Sequence, residues 1–91
     1  MTVVIDNSQE YSFELTENGY TAIADYKKHN EDYTIRHVEA PVELQGKGTA
    51  SRLMEGIIAM ARQNKWKITP NCPYADAWFK RHPEAHDLLA G

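Results

Sequence analysis

Residues 1–40 alternate apolar and polar side chains with the period of two that is typical of β-strands. Strand-like stretches cover residues 11–15, 20–26 and 33–39. Asn18-Gly19 fits a type I′ hairpin turn, because both central residues of that turn need a positive φ, and polar residues 27–32 predict the second turn. We therefore expect a three-stranded antiparallel meander. One face of its third strand should carry Tyr33, Ile35, His37 and Glu39.

After Pro41 the apolar spacing changes to that of an amphipathic helix. From Ala50 to Ala61, apolar residues recur at i, i+3, i+4, i+7, i+8 and i+11. We predict a helix over residues 47–63, with Asn64 as its C-terminal stop. Gly56 falls in the middle, where glycine is about 1 kcal/mol less favourable than alanine. It is either a tolerated imperfection or a point of close packing on the sheet.

The remainder of the chain predicts a crossover and a second helix. Residues 66–70 form a short strand, and the preceding helix implies a right-handed connection that pairs this strand in parallel with residues 33–39. Pro73 suits the first turn of a helix, which His82-Pro83 ends. Residues 84–89 can add a last helical turn. The fold class is therefore α+β.

Composition narrows the classes of function. The longest apolar run, residues 57–61, is far shorter than the ~20 residues of a membrane span, and no signal peptide precedes it. The single cysteine, Cys72, excludes an intrachain disulfide and a multi-cysteine zinc site and favours a reducing, cytoplasmic setting. A net charge of −3 argues against nucleic-acid binding. We also expect no metal, because Pro83 disturbs the helical spacing between His82 and His86.

The junction between the third strand and the long helix is glycine-rich and reads Gln45-Gly46-Lys47-Gly48-Thr49-Ala50. Glycines let the backbone approach a ligand, the amides of the first helical turn favour an anion, and Lys47 adds a cation. A Walker A loop does not fit because Gly48 follows Lys47, and a dinucleotide fingerprint does not fit because residue 51 is serine. The pattern Gln/Arg-x-x-Gly-x-Gly/Ala does fit. The alternative is a glycine-rich turn that binds nothing.

Cys72 and His37 are the candidate reactive side chains. Cys72 directly precedes the second predicted helix, whose N-terminus favours a thiolate. If the parallel pairing is correct, the strands that carry His37 and Cys72 are neighbours, and the pair can act as base and nucleophile. The alternatives are a buried cysteine that behaves as a small hydrophobic residue and a structural histidine.

These motifs resemble the small YjdJ-type branch of the GCN5-related N-acetyltransferase (GNAT) superfamily. The similarity covers roughly residues 10–90 and rests on His37-Val38-Glu39, the loop and helix start over residues 45–53, the stretch from Pro70 to Tyr74, and residues 78–84. One departure is Ala85, where the family commonly has an aromatic residue after Glu84.

The resemblance implies a GNAT-like fold over residues 1–91, as a single minimal N-acetyltransferase-like domain. In that fold two parallel strands splay apart and the pantetheine arm of acetyl-CoA pairs with strand backbone in the gap. The family's catalytic histidine and cysteine match His37 and Cys72. The cofactor-binding positions are Val38, Glu39 and Ala40 for pantetheine, and Gln45, Gly46, Lys47, Gly48, Thr49 and Ala50 for the pyrophosphate.

The expected function is transfer of an acetyl group from acetyl-CoA to an unidentified amine or protein acceptor. Cys72 would either carry the acetyl group or protonate the leaving thiolate. Full-size members have an N-terminal strand–helix–helix segment that helps to build the acceptor site. Residues 1–40 show no helical period, so we expect that site to be open, shared with a partner or absent. A module that binds or senses CoA without turnover, and a domain with a vestigial loop, are the alternatives. The sequence leaves the oligomeric state open.

Overall fold

The computed structural model describes residues 3–90, which form five strands and two α-helices around one sheet. In chain order these are β1 (Ile5–Asn7), β2 (Ser12–Glu17), β3 (Tyr20–His29), β4 (Asp32–Glu39), α1 (Thr49–Asn64), β5 (Lys67–Pro70) and α2 (Pro73–Arg81). Short 3-10 turns cover Val42–Leu44 and Pro83–Leu88. The sheet order is β1-β2-β3-β4-β5, antiparallel up to β4 and parallel between β4 and β5. Within this range, no helix is both long and apolar enough to cross a lipid bilayer.

The predicted meander, crossover helix, parallel strand and C-terminal helix are confirmed, with differences at the boundaries. β1 was not predicted, because its three residues are too few to show a period. β3 continues to His29, so the second turn is shorter than residues 27–32 and contains Asn30 with a φ of 54°. α1 begins at Thr49 instead of residue 47, since Gly48 adopts a left-handed conformation. It ends at Asn64, one residue beyond the predicted last helical residue, and Lys65 instead of Asn64 takes the left-handed cap.

The hairpin turn between β2 and β3 has the predicted geometry. Asn18 has a φ of 52° and Gly19 a φ of 81°, the two positive values that a type I′ turn requires. Glu17 therefore pairs with Tyr20 at the end of the ladder, and the turn fixes where Glu17 stands.

Both helices pack on the same face of the sheet and share one hydrophobic core. α1 lies over β2 and β3, and α2 lies over β4 and β5. The indole Nε1 of Trp78 in α2 donates to Oγ of Ser51 in α1 at 3.2 Å. The sheet contributes alternate side chains to this core: Phe13, Leu15, Ala22, Ala24, Tyr26, Tyr33, Ile35 and Ile68.

Gly56 is a point of close packing, which decides between the two alternatives left by the sequence. A Cβ atom at this position would overlap both Cγ2 and Cβ of Val4. The absence of a side chain lets the segment before β1 lie directly on α1.

A β-bulge in β4 changes which residues face the core. Asp25 pairs with His37, but the next residue of β3, Tyr26, pairs with Ile35, so Arg36 has no partner on β3. Because the extra residue shifts the alternation, Val38 packs against the core. The prediction that His37 shares a face with Ile35 is therefore wrong.

The same correction applies to Glu39. It pairs with Ile23, and it lies with His37 on the sheet face opposite the helices. Tyr33 and Ile35 are buried. The predicted assignment of side chains to the two faces of β4 is therefore correct up to Ile35 and reversed after the bulge.

The parallel ladder between β4 and β5 is short. Asp32–Ile35 pair with residues 67–70, and the amide of Asn71 adds a hydrogen bond of 2.8 Å to the carbonyl of Ile35. Beyond that point, among residues 3–90, the β4 edge from Arg36 to Glu39 has no strand partner on the side of β5. The two strands are paired at one end and open at the other, as the splayed arrangement requires.

Candidate functional site

The glycine-rich loop follows the open half of β4 and turns directly into α1. Gly46 and Gly48 both have a φ of 77°, a region that side chains with a Cβ rarely adopt. Gly48 is the N-cap residue of α1, and within residues 3–90 no side chain caps this helix end. Nε2 of Gln45 donates to the carbonyl of Ala40 at 3.1 Å, which ties the loop back to the end of β4.

The amides of this loop are available to a ligand. Among residues 3–90, the amides of Gly46, Gly48, Ala50 and Ser51 donate no hydrogen bond, and these four residues are exposed or partly exposed. Free amides at a helix N-terminus, together with the helix dipole, favour an anion.

A surface cavity of about 240 Å³ lies over these amides. It is lined by Ala40, Leu44, Gln45, Gly46, Gly48, Thr49, Ala50, Ser51 and Tyr74. Surface cavities of about 300, 420 and 560 Å³ lie elsewhere, and no predicted site residue lines them. The loop cavity is the candidate ligand site because predicted site residues and free amides line it, although the other cavities are larger.

His37 stands on the open face of the sheet. Its side chain is 58% exposed, and its Nε2 is 3.8 Å from Oε1 of Glu39, which is itself 65% exposed. Val38, between them, packs against the core. The imidazole is therefore accessible to solvent and to a molecule that approaches on this face.

Cys72 lies on the other side of the sheet. It is 7% exposed within the hydrophobic core, and it is the N-cap residue of α2. Its Sγ accepts a hydrogen bond of 3.3 Å from the amide of Ala75. The predicted place of Cys72, directly before a helix with proline in its first turn, is confirmed.

The structure does not join His37 and Cys72 by a hydrogen bond within residues 3–90. The imidazole faces the open side of the sheet, while the thiol is buried beneath α2. The two side chains flank the gap between β4 and β5 from opposite sides.

The sequence and the fold of this chain are both similar to those of known proteins. A family model described as GCN5-related N-acetyl-transferase matches residues 10–88. The chain belongs to this family. A search of curated proteins finds no match.

The fold is similar to a solved structure of the same kind. This is the NMR solution structure of a GCN5-like candidate N-acetyltransferase from Staphylococcus aureus, with a TM-score of 0.74 and 25% sequence identity. The match covers 98% of this chain and 88% of the other. The GNAT-like α+β fold expected from the sequence is confirmed.

Two residues beside the loop of this GNAT-family chain were missed by the sequence reasoning. Glu17 accepts hydrogen bonds from Nε and Nη2 of Arg52, both at 2.7 Å, and from Oγ1 of Thr49 at 2.6 Å. The hydrogen bonds from Arg52 and then Thr49 lower the pKa of Glu17 from 4.5 to about 2. No local sequence signal reveals this contact, since Glu17 and Arg52 are 35 residues apart.

Tyr74 is a third missed residue of this GNAT-family site. It follows Cys72-Pro73 in the first turn of α2 and lines the loop cavity beside Ser51. Burial raises the pKa of its phenol. Tyr74 is far from the loop in sequence, so the sequence alone does not show this contact. Its position two residues after Cys72 is the signal that could have identified it.

Proposed function

We propose that this protein is an acetyl-CoA-dependent N-acetyltransferase of the small YjdJ-type branch, and that residues 1–91 form one catalytic domain. The proposal rests on the open edge of β4 and the glycine-rich loop, which follow one another directly along the chain. In the described part of the chain, the edge of β4 without a partner strand leads through Ala40 into a loop whose amides donate no hydrogen bond. Acetyl-CoA needs these features in this order, because its extended pantetheine arm connects the thioester to a diphosphate.

The proposed binding mode uses backbone groups for most contacts. The amides of the pantetheine arm pair with the open edge at Val38, Glu39 and Ala40, in the way that an extended peptide adds to a sheet. The diphosphate accepts hydrogen bonds from the amides of the loop between Gly46 and Ala50. Lys47 forms no ion pair with any of residues 3–90, so its ammonium group is free to meet the diphosphate. Gln45 supports the loop through its hydrogen bond to Ala40.

In the proposed reaction, the nitrogen of an amine attacks the carbonyl carbon of the thioester. A C–N bond forms, the C–S bond breaks, and its electron pair leaves with the sulfur of CoA as a thiolate. His37 accepts the proton that the amine loses and releases it to solvent, while Cys72 gives its proton to the thiolate and regains one from water that enters the gap after CoA leaves. Amides of the β4 edge near Val38 polarise the thioester carbonyl. The products are an acetylated amine and free CoA.

The positions of the two side chains favour these separate roles. His37 and Cys72 flank the gap from opposite sides, as a base on the incoming amine and an acid on the departing sulfur would need to. A base for a nucleophilic thiol would have to contact it, and His37 does not contact Cys72 by a hydrogen bond among the described residues. Direct attack by the amine is thus better supported than an acetyl-cysteine intermediate.

Ligand binding is tested by thermal unfolding with CoA, acetyl-CoA or ATP. Both CoA forms should stabilise the protein by about 2.7 kcal/mol at 100 times the dissociation constant, and ATP should do so less. Gly48→Ala should remove the shift, because its Cβ would lie 3.1 Å from Nη1 of Arg52 at a φ of 77°. Gly19→Ala is the matched control, with similar backbone strain at a φ of 81° but, among residues 3–90, no neighbouring atom within 4 Å of the added Cβ. No shift with either CoA form would overturn the proposal.

Turnover separates an enzyme from a sensor. Release of CoA thiol should be measured with acetyl-CoA and a panel of small amines, polyamines and lysine peptides. His37→Ala should reduce turnover on the order of 100-fold or more while the CoA shift is retained, which is the scale of general base catalysis. A normal shift without transfer to any acceptor would instead support the CoA-sensing alternative.

A further inference from the structure

The guanidinium group of Arg52 connects three parts of the chain at the edge of the loop. On one side it forms two parallel hydrogen bonds of 2.7 Å with the carboxylate of Glu17, the last residue of β2. On the other side its Nη2 donates to the carbonyl oxygen of Lys47 at 2.9 Å. The loop backbone is thereby tied to the β2–β3 hairpin.

Thr49 closes the same network from within the first turn of α1. Its Oγ1 donates to Oε1 of Glu17 at 2.6 Å, and the residue is 1% exposed. The carboxylate of Glu17 therefore holds both ends of a short segment, Thr49 directly and Lys47 through Arg52.

Arg52 also lies close to Gly48. Its amide donates to the carbonyl of Gly48 at 3.0 Å, and its Nη1 would be 3.1 Å from a Cβ atom added at that position. Since Gly48 adopts a φ of 77° and glycine samples many conformations in a free loop, a guanidinium group held this close limits the conformations that the loop can adopt.

The contacts of Arg52 favour a role on the loop backbone over a direct role as the phosphate-binding cation. Its Nε and Nη2 are occupied by Glu17 and the Lys47 carbonyl, and the charge of Glu17 neutralises the guanidinium. The ammonium group of Lys47 has no such counterion among the described residues. The cation that contacts an anion at the loop is thus Lys47, and Arg52 acts on the backbone.

We propose that Glu17 and Arg52 are positioning residues that hold the loop in the shape required to bind the diphosphate of CoA. This inference rests on the proposed function and adds the residues that prepare its site. A loop that must become ordered on binding loses conformational entropy, which weakens binding. A loop that is already ordered in the free protein avoids this loss. Loss of the network should weaken CoA binding about tenfold, the scale expected when one to two side chains and their backbone must be ordered on binding.

The test compares CoA with pantetheine, which lacks the diphosphate, in NMR titrations that also measure weak binding. Arg52→Met keeps the apolar stem and removes every donor, and Glu17→Gln removes the charge of the carboxylate. Both variants should bind CoA about tenfold more weakly than the wild type, while pantetheine affinity is unchanged. Glu31→Gln, at an exposed position in the turn between β3 and β4, is the matched control and should leave both affinities unchanged.

Hydrogen exchange provides a second measurement in the free protein. The amides of residues 47 and 52, which donate to the carbonyls of Leu44 and Gly48, should exchange faster in Arg52→Met than in the wild type, while amides in the β2–β3 ladder keep their rates. Unchanged CoA affinity in both variants, or equal weakening for CoA and pantetheine, would overturn the inference. If the wild type binds no CoA, the proposed function itself is wrong. If the wild type binds CoA and both variants bind it equally well, only the proposed role of Glu17 and Arg52 is wrong.

Discussion

Gly56 lies directly against the side chain of Val4, so that the residue before β1 packs on the middle of α1. Only glycine provides this space, because a Cβ would overlap two atoms of Val4. The contact fixes the first described residues of the chain to the helix that begins at the loop.

Gly56→Ala is expected to destabilise the protein. Alanine is about 1 kcal/mol more favourable than glycine in a helix, but overpacking typically costs about 1–3 kcal/mol. We expect a net loss of up to ~2 kcal/mol in the free energy of unfolding, measured with a chemical denaturant. Val4→Ala combined with Gly56→Ala should recover most of the loss. An increase in stability for the single variant would mean that Val4 moves aside.

Stability should fall in acid because of Glu17. Arg52 and Thr49 hold its pKa at about 2, against 4.5 for an unperturbed carboxyl. A group whose pKa is lowered by folding contributes stability above its unfolded value and loses it as the pH falls toward the folded value. The contribution of Glu17 is therefore complete above about pH 5 and is lost between about pH 5 and pH 2.

Denaturant unfolding at a series of pH values checks this contribution. Glu17→Gln should be less stable than the wild type at pH 7, and the difference should shrink as the pH falls. Glu43→Gln, at an exposed position, should keep the wild-type pH dependence. Parallel pH curves for the wild type and Glu17→Gln would contradict the assignment. Asp87, paired with Arg62, is unchanged in all three proteins.

The hydrogen bond between Trp78 and Ser51 should contribute to the packing of the two helices. Trp78 is 2% exposed, and Ser51 accepts its indole N–H at 3.2 Å. Ser51→Ala leaves this donor unsatisfied and should destabilise the protein by about 1–3 kcal/mol. Ser51→Thr keeps a hydroxyl group and is the control. Equal stability of the alanine and threonine variants would show that the bond contributes nothing.

Cys72 should remain unmodified during turnover. Its thiol is 7% exposed and accepts the Ala75 amide, and His37 faces the other side of the sheet. Intact-mass spectrometry after incubation with acetyl-CoA should therefore show no added acetyl group. An acetyl adduct that is absent from Cys72→Ala would establish a covalent route through the cysteine.

The parts of the fold that were predicted correctly depend on local signals. Asn18-Gly19 forms its turn because of its own backbone preferences, and the apolar spacing from Ala50 to Ala61 places α1 against the sheet. The loop was predicted for the same reason, since Gly46 and Gly48 sit between a strand and a helix start.

The features that were missed depend on contacts between distant residues. The bulge at Arg36 is defined by pairing with β3, and nothing in residues 33–39 alone marks it, so the face of His37 was predicted wrongly. The contact between Glu17 and Arg52 is likewise set by how the hairpin packs beside α1. Periodicity describes one element at a time and carries no information on such pairs.

The bulge at Arg36 also has a kinetic consequence. A bulge bends its strand and increases its twist, and β4 separates from β5 directly after Ile35, where the extra residue occurs. The extra residue of the bulge thus accompanies a gap that is already open in the free protein. A ligand does not have to separate the two strands in order to bind. Association would be limited by diffusion and orientation at the mouth of the gap, and not by a preceding rearrangement of the sheet.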